Sequence, residues 1–147
     1  MQALWWSNES QTPIQVSKAI DQLGGTISIP ETGFTMDIPA GALSGPLTIT
    51  VTADTRYVAY KMEPSGTQFA KDVTVTQSLS TTTIAGAPLS NQIYAAYIAD
   101  DSVSLSGKVP VAEIEPSTTI FSTTNSRLPV AQVWTIRHFS RYMLASG

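Results

Sequence analysis

Apolar and polar residues alternate with a period of two along much of this chain, and this pattern constrains the fold more than any other feature. Successive side chains of a β-strand point to opposite faces, so the alternation predicts half-buried antiparallel strands. The pattern recurs in four segments before residue 77: Thr26–Ile29, Phe34–Ile38, Leu47–Thr52 and Val73–Thr76. Further strands are expected at Ile93–Ala99, Val109–Ile114, Thr119–Ser122 and Gln132–Leu144.

Glycine and proline clusters separate the predicted strands and supply the turns between them. They lie at 24–25, 30–33, 45–46, 64–66, 86–88 and 106–107. Many short strands joined by such turns predict an all-β sandwich or barrel with almost no helix. A single helical turn at 41–43 is the exception that we expect.

Composition limits the classes of protein to which this chain can belong. A chain of 147 residues with 42% hydrophobic residues can bury one core, so we expect one domain. Its 8 basic and 11 acidic residues give a net charge of -3 with no basic cluster, which predicts that it does not bind nucleic acid. It has no cysteine and one histidine, so we expect no metal site and no cofactor.

Targeting signals are sparse. No segment approaches the roughly 20 apolar residues of a membrane span, so we expect no transmembrane segment. Residues 1–6 lack the basic and apolar regions of a secretory signal. The chain as written is therefore expected to be soluble and cytoplasmic, or to belong to the cell envelope if a signal peptide was removed. Peripheral association with a membrane complex is compatible with either location.

Five sequence blocks, taken in order, resemble the domain named after zonula occludens and uncoordinated-five proteins, here called the ZU-five domain, in its bacterial form. The blocks are Gly24–Thr26, Phe34–Leu43, Thr48–Val51, Pro64–Val75 and His138–Tyr142. The resemblance implies an antiparallel β-sandwich over residues 24–147 that acts as an interaction module. Residues 1–23 would then form an N-terminal arm or a first strand.

The tripeptide His138-Phe139-Ser140 is the one motif with catalytic potential. On an extended strand His138 and Ser140 share a face, so the imidazole could either take the serine proton or form an ordinary buried hydrogen bond with it. In a self-cleaving branch of the ZU-five family, the resemblance implies that His138 is the general base, Ser140 the nucleophile and the Phe139 carbonyl the electrophile. In an N-to-O acyl shift, Ser140 would attack the Phe139 carbonyl and replace the peptide bond with an ester. Water would then hydrolyse that ester and separate the chain in a single turnover.

Two classes of function follow. The first is a non-catalytic interaction or structural module, such as an accessory subunit that braces a larger protein assembly. The second is a domain that cleaves itself in a single turnover. Trp5 and Trp6 are the candidate partner-binding residues, either on an arm that reaches a neighbouring protein or as a cap on one end of the sandwich.

Overall fold

A computed structural model describes all residues from Met1 to Gly147, and its secondary structure consists of strands without any helix. The strands, in chain order, are β1 (Gln2–Ala3), β2 (Ile14–Ile20), β3 (Gly25–Ile29), β4 (Phe34–Ile38), β5 (Leu47–Ala53), β6 (Ala59–Glu63), β7 (Gln68–Ser78), β8 (Ile93–Ile98), β9 (Glu113–Glu115), β10 (Ser117–Phe121), β11 (Pro129–His138) and β12 (Arg141–Ser146). The all-β prediction is confirmed. The helical turn expected at 41–43 is instead a tight turn in which the Ala42 N–H donates to the Pro39 carbonyl.

The strands form two antiparallel sheets that pack face to face as a sandwich. The first sheet has the order β2-β5-β6-β12-β8-β9, with β1 paired to β12, and the second has the order β10-β11-β7-β4-β3. Their inner faces meet in a core of 27 buried hydrophobic residues. Since the fold contains no helix, it contains no helical membrane span.

The alternating pattern explains how the second sheet builds its half of the core. Ile27, Met36, Val75 and Trp134 lie side by side on β3, β4, β7 and β11. All four side chains are buried. Removing each large apolar side chain from water contributes roughly 1.5 to 3 kcal/mol. The hydroxyl-bearing residues between them lie on the outer face.

A second, smaller core covers the outer face of the first sheet. The segment between β8 and β9 folds over this face and packs Leu105 and Val109 against Met143 and Ala145 of β12. As a result β12 is buried on both sides, and the four residues from Tyr142 to Ala145 are all buried. This is why the period of two disappears there.

The first residues of the chain are part of the first sheet. The Leu4 N–H donates to the Leu144 carbonyl at 2.9 Å, and the Leu4 carbonyl accepts from the Val58 N–H at 2.8 Å. Further along, β2 pairs with β5 over its whole length.

The end of the chain differs from its prediction. A single strand over Gln132–Leu144 is wrong, because the chain crosses from the second sheet to the first between β11 and β12. Phe139 points into the core at this crossover, where its ring lies 4.8 Å from that of Phe69. Because Phe139 turns inward, the alternation of core-facing residues in β11 does not continue into β12.

Candidate functional site

The crossover segment 138–140 is held by backbone hydrogen bonds to the connection between β6 and β7. The Phe139 N–H donates to the Thr67 carbonyl at 2.8 Å, and the Phe139 carbonyl accepts from the Gly66 N–H at 3.1 Å. The Ser140 carbonyl accepts from the Met62 N–H at 2.9 Å. No residue other than glycine has a positive φ, so the segment has no backbone strain of that kind.

The crossover separates His138 from Ser140. The Ser140 hydroxyl donates to the Ile98 carbonyl at 3.4 Å, whereas Nδ1 of His138 lies 3.4 Å from the Tyr142 hydroxyl. No hydrogen bond joins the imidazole to the serine. The expectation of a His138–Ser140 pair on one core-facing side is therefore wrong, because the two residues do not belong to one continuous strand.

The His138 imidazole instead lies half-buried in a cluster at the β9 edge of the sandwich. Its ring meets the Tyr97 ring edge to face, with the centroids 4.9 Å apart. Nε2 of His138 lies 3.9 Å from Oε2 of Glu113. The Tyr142 hydroxyl donates to the His138 carbonyl at 2.6 Å, which ties the His138 backbone to β12.

Two glutamates of β9 complete this cluster. Glu113 pairs with Tyr97 and Glu115 with Ala95 of the neighbouring strand, and because they are two residues apart they share one face. One ligand atom from each of Glu113, Glu115 and His138 lies within 4.8 Å of the others. Glu115 is only 7% exposed, and its Oε1 has no hydrogen-bond partner.

The cluster contains two carboxyl groups and no lysine or arginine to balance their charge. Burial, together with the charge of Glu113, raises the pKa of Glu115 from 4.5 to about 7. Burial also raises the pKa of Tyr142, and the charges of Glu115, Tyr97 and Glu113 add to that shift. No lysine or arginine forms an ion pair with either glutamate.

Sequence reasoning missed both glutamates. The spacing in Glu113-Ile114-Glu115 was the available signal, since alternate residues of a strand share a face. Nothing in the sequence indicates that this face meets His138, which arrives from the other sheet.

The two tryptophans near the N-terminus lie in different environments. Trp6 is buried, and its Nε1 donates to the Asp54 carbonyl at 2.8 Å. Trp5 is 47% exposed, packs edge to face on Tyr57 and lies under the Arg56 guanidinium at 5.8 Å. Of these two tryptophans, only Trp5 has an exposed ring.

The sandwich has four edge strands. Two of them, β2 and β9, carry charged residues, and β3, which has none, is contacted by a charged side chain of β2. Lys18 of β2 donates to the Thr26 carbonyl of β3 at 2.8 Å. Its side chain therefore lies between the β2 edge of the first sheet and the β3 edge of the second. The short β9 carries the glutamates. Charged side chains and short length are common means of protecting an edge.

The fourth edge strand, β10, is different. Its sequence, Ser-Thr-Thr-Ile-Phe, contains no charged residue. Ile120 and Phe121 are 43% and 41% exposed, and Val130 of the adjacent β11 is 42% exposed. We call this surface the β10 edge. It is an uncharged strand edge with two exposed apolar side chains and a register shift between them, and one side of its backbone is left unpaired by the sheet.

Comparison of the sequence with protein-family models finds no matching family, and comparison with curated proteins finds no match. The resemblance to the ZU-five domain stays a prediction.

Proposed function

We propose that this protein is a non-catalytic β-sandwich that binds another polypeptide chain through its β10 edge, as a structural or accessory subunit of a larger assembly. The observation that carries the proposal is the contrast between this edge and the other three. Ile120, Phe121 and Val130 are exposed together at the β10 edge, whereas Lys18 or the β9 glutamates occupy the other edges.

The partner that fits such an edge is an extended segment with apolar side chains. A free edge strand offers a row of backbone N–H and C=O groups, and an incoming strand pairs with them without any special side chain. The exposed side chains of Ile120 and Phe121 then supply selectivity for apolar residues at matching positions. A charged segment would bind less tightly, because its charged groups would lose water on packing against these apolar side chains.

The contacts of the crossover favour this function over self-cleavage. A serine nucleophile needs a base within hydrogen-bond reach, about 2.6 to 3.2 Å. The Ser140 hydroxyl is engaged with a backbone carbonyl, and the His138 imidazole faces Tyr142 and Glu113. The crossover acts as a structural link between the sheets in this proposal.

A peptide library displayed on phage and selected against the immobilised full chain tests the proposal. We expect the selected peptides to alternate apolar residues and to slow amide exchange over residues 117–121. Ile120→Lys should weaken their binding by about tenfold or more, because it places a charge in the contact. Leu23→Lys is the matched control, since Leu23 is exposed in the turn before β3. The proposal fails if no peptide is selected, or if Ile120→Lys binds as well as the control.

A further inference from the structure

We propose that Glu113, Glu115 and His138 bind a divalent transition-metal ion of the zinc type. These three side chains are the one group in the molecule whose carboxylate and imidazole atoms converge closely enough to share an ion. In a tetrahedral zinc site with bonds of about 2 Å, ligand atoms are about 3.3 Å apart. The atoms lie within 4.8 Å of one another, so an adjustment of about 1.5 Å or less closes the site. The side chain of Glu113 is exposed and is free to make this adjustment.

The unpartnered oxygen of Glu115 points independently to a cation. A buried carboxylate is normally paired with a positive group, hydrogen-bonded, or bound to a metal. Glu115 is almost fully buried, yet no donor contacts its Oε1. An ion held between Glu115 and His138 would supply the missing positive charge.

The contacts of His138 prepare its ring to act as a ligand. The single proton of the Tyr142 hydroxyl is donated to the His138 carbonyl at 2.6 Å, so its oxygen is left to accept a hydrogen bond from Nδ1 at 3.4 Å. With Nδ1 as the donor in this contact, Nε2 would keep a lone pair on the side that faces Glu113, as a metal ligand requires. Metal-binding histidines commonly use their second nitrogen in this way, which fixes the tautomer and the ring orientation.

The mixture of donors selects the class of ion. Calcium takes six to eight oxygen ligands, whereas this cluster has two carboxylates and one imidazole nitrogen. Imidazole favours zinc and neighbouring transition metals, and zinc sites with three protein ligands complete their coordination with water. The ion would join β9 of the first sheet to β11 of the second. This proposal departs from the sequence-based expectation of no metal, which rested on the single histidine.

Zinc titration of the full chain tests the site. The chain is labelled with 15N, stripped of metal with a chelator, and titrated with zinc chloride while the imidazole signals are followed by NMR. Because the chain has one histidine, the signals belong to His138. We expect saturation at one zinc ion per chain, with the largest shift at Nε2. Competition with a coloured chelator gives the affinity.

Three variants make the test specific. Glu115→Gln and His138→Gln should each lower the zinc affinity by at least about tenfold. Glu31→Gln, which alters an exposed carboxylate in the turn after β3, should leave it unchanged. The glutamine at 115 removes a buried charge, so we expect that variant to fold, and a thermal melt checks it.

Any of three results would overturn the proposal. The first is the absence of saturable binding at one equivalent, or binding that leaves the His138 signals unmoved. The second is zinc affinity in Glu115→Gln equal to that of Glu31→Gln. The third is calcium binding as tight as zinc binding, since the imidazole would then contribute nothing.

Discussion

At the scale of single residues, the core depends on one buried polar contact between the two sheets. Gln77 is fully buried on β7, and its Oε1 accepts from the Tyr60 hydroxyl of β6 at 2.5 Å. Its Nε2 donates to the Thr32 carbonyl at 2.6 Å. Burial raises the pKa of Tyr60, so the hydroxyl keeps its proton and acts as a donor. Such a contact stabilises the fold only while every partner is present.

Replacing Gln77 with leucine should therefore destabilise the protein, although the change makes the core more apolar. The substitution removes the hydrogen bonds that Gln77 makes with the Tyr60 hydroxyl and the Thr32 carbonyl, and each such bond contributes about 1 kcal/mol. The Tyr60 hydroxyl keeps only its contact with the Thr32 hydroxyl at 2.9 Å. Urea denaturation measures the loss in the free energy of unfolding. Gln22→Leu, at an exposed position, should change it by less than about 0.5 kcal/mol. Equal effects of the two substitutions would contradict the role of the contact.

Glu115 should make stability depend on pH. Its pKa is about 7 in the folded protein, against an ordinary value of 4.5 in the unfolded chain. Below pH 4.5 both states hold the proton, and as the pH rises to 7 the unfolded state loses it first, so stability falls. We expect a loss on the order of 1 to 2 kcal/mol across this window.

Urea denaturation with a chelator present, repeated between pH 4.5 and 8, measures this dependence. Glu115→Gln should abolish the contribution and be more stable than the unchanged chain at the upper end of the range. Glu31→Gln serves as the control, and its stability should fall with rising pH as that of the unchanged chain does. Identical pH profiles for the unchanged chain and Glu115→Gln would show that Glu115 is not the group responsible.

At the scale of strands, local alternation predicts well wherever one face of a strand meets the core and the other meets solvent. β3, β4, β5 and β7 satisfy this condition. The first three were expected close to their observed positions, whereas β7 was expected only over Val73–Thr76 and extends over Gln68–Ser78. β12 does not satisfy it, because the segment after β8 covers its second face. The break between β11 and β12 could not be predicted either. In one continuous strand, the alternation would place Phe139 on the face away from the core.

Phe139 should be the residue on which the crossover depends. Phe139→Ala removes a ring packed on Phe69 and leaves a cavity between the sheets, which we expect to cost about 3 to 5 kcal/mol. Phe121→Ala makes the same chemical change on an exposed side chain and should cost about 1 kcal/mol or less. Thermal and urea unfolding of both variants give the comparison. A small effect at Phe139 would mean that its ring is not a core element.

At the scale of the whole molecule, the placement of sites depends on how the sheets pack. Composition and turns predicted one all-β domain, but the meeting of Glu113 and Glu115 with His138 arises only when β9 and β11 face each other at one end of the sandwich. The β10 edge likewise emerges from strand order, which alternation does not encode. The motif His138-Phe139-Ser140 was visible in the sequence, but its geometry was not.

The central claim is that the segment 138–140 is a structural link between two sheets and not a reactive bond. Intact mass spectrometry of the purified chain after long incubation at neutral pH tests it most directly. We predict one species of 15.7 kDa, indistinguishable in behaviour from Ser140→Ala. A product ending at Phe139, present in the unchanged chain and absent from Ser140→Ala and His138→Ala, would contradict the account.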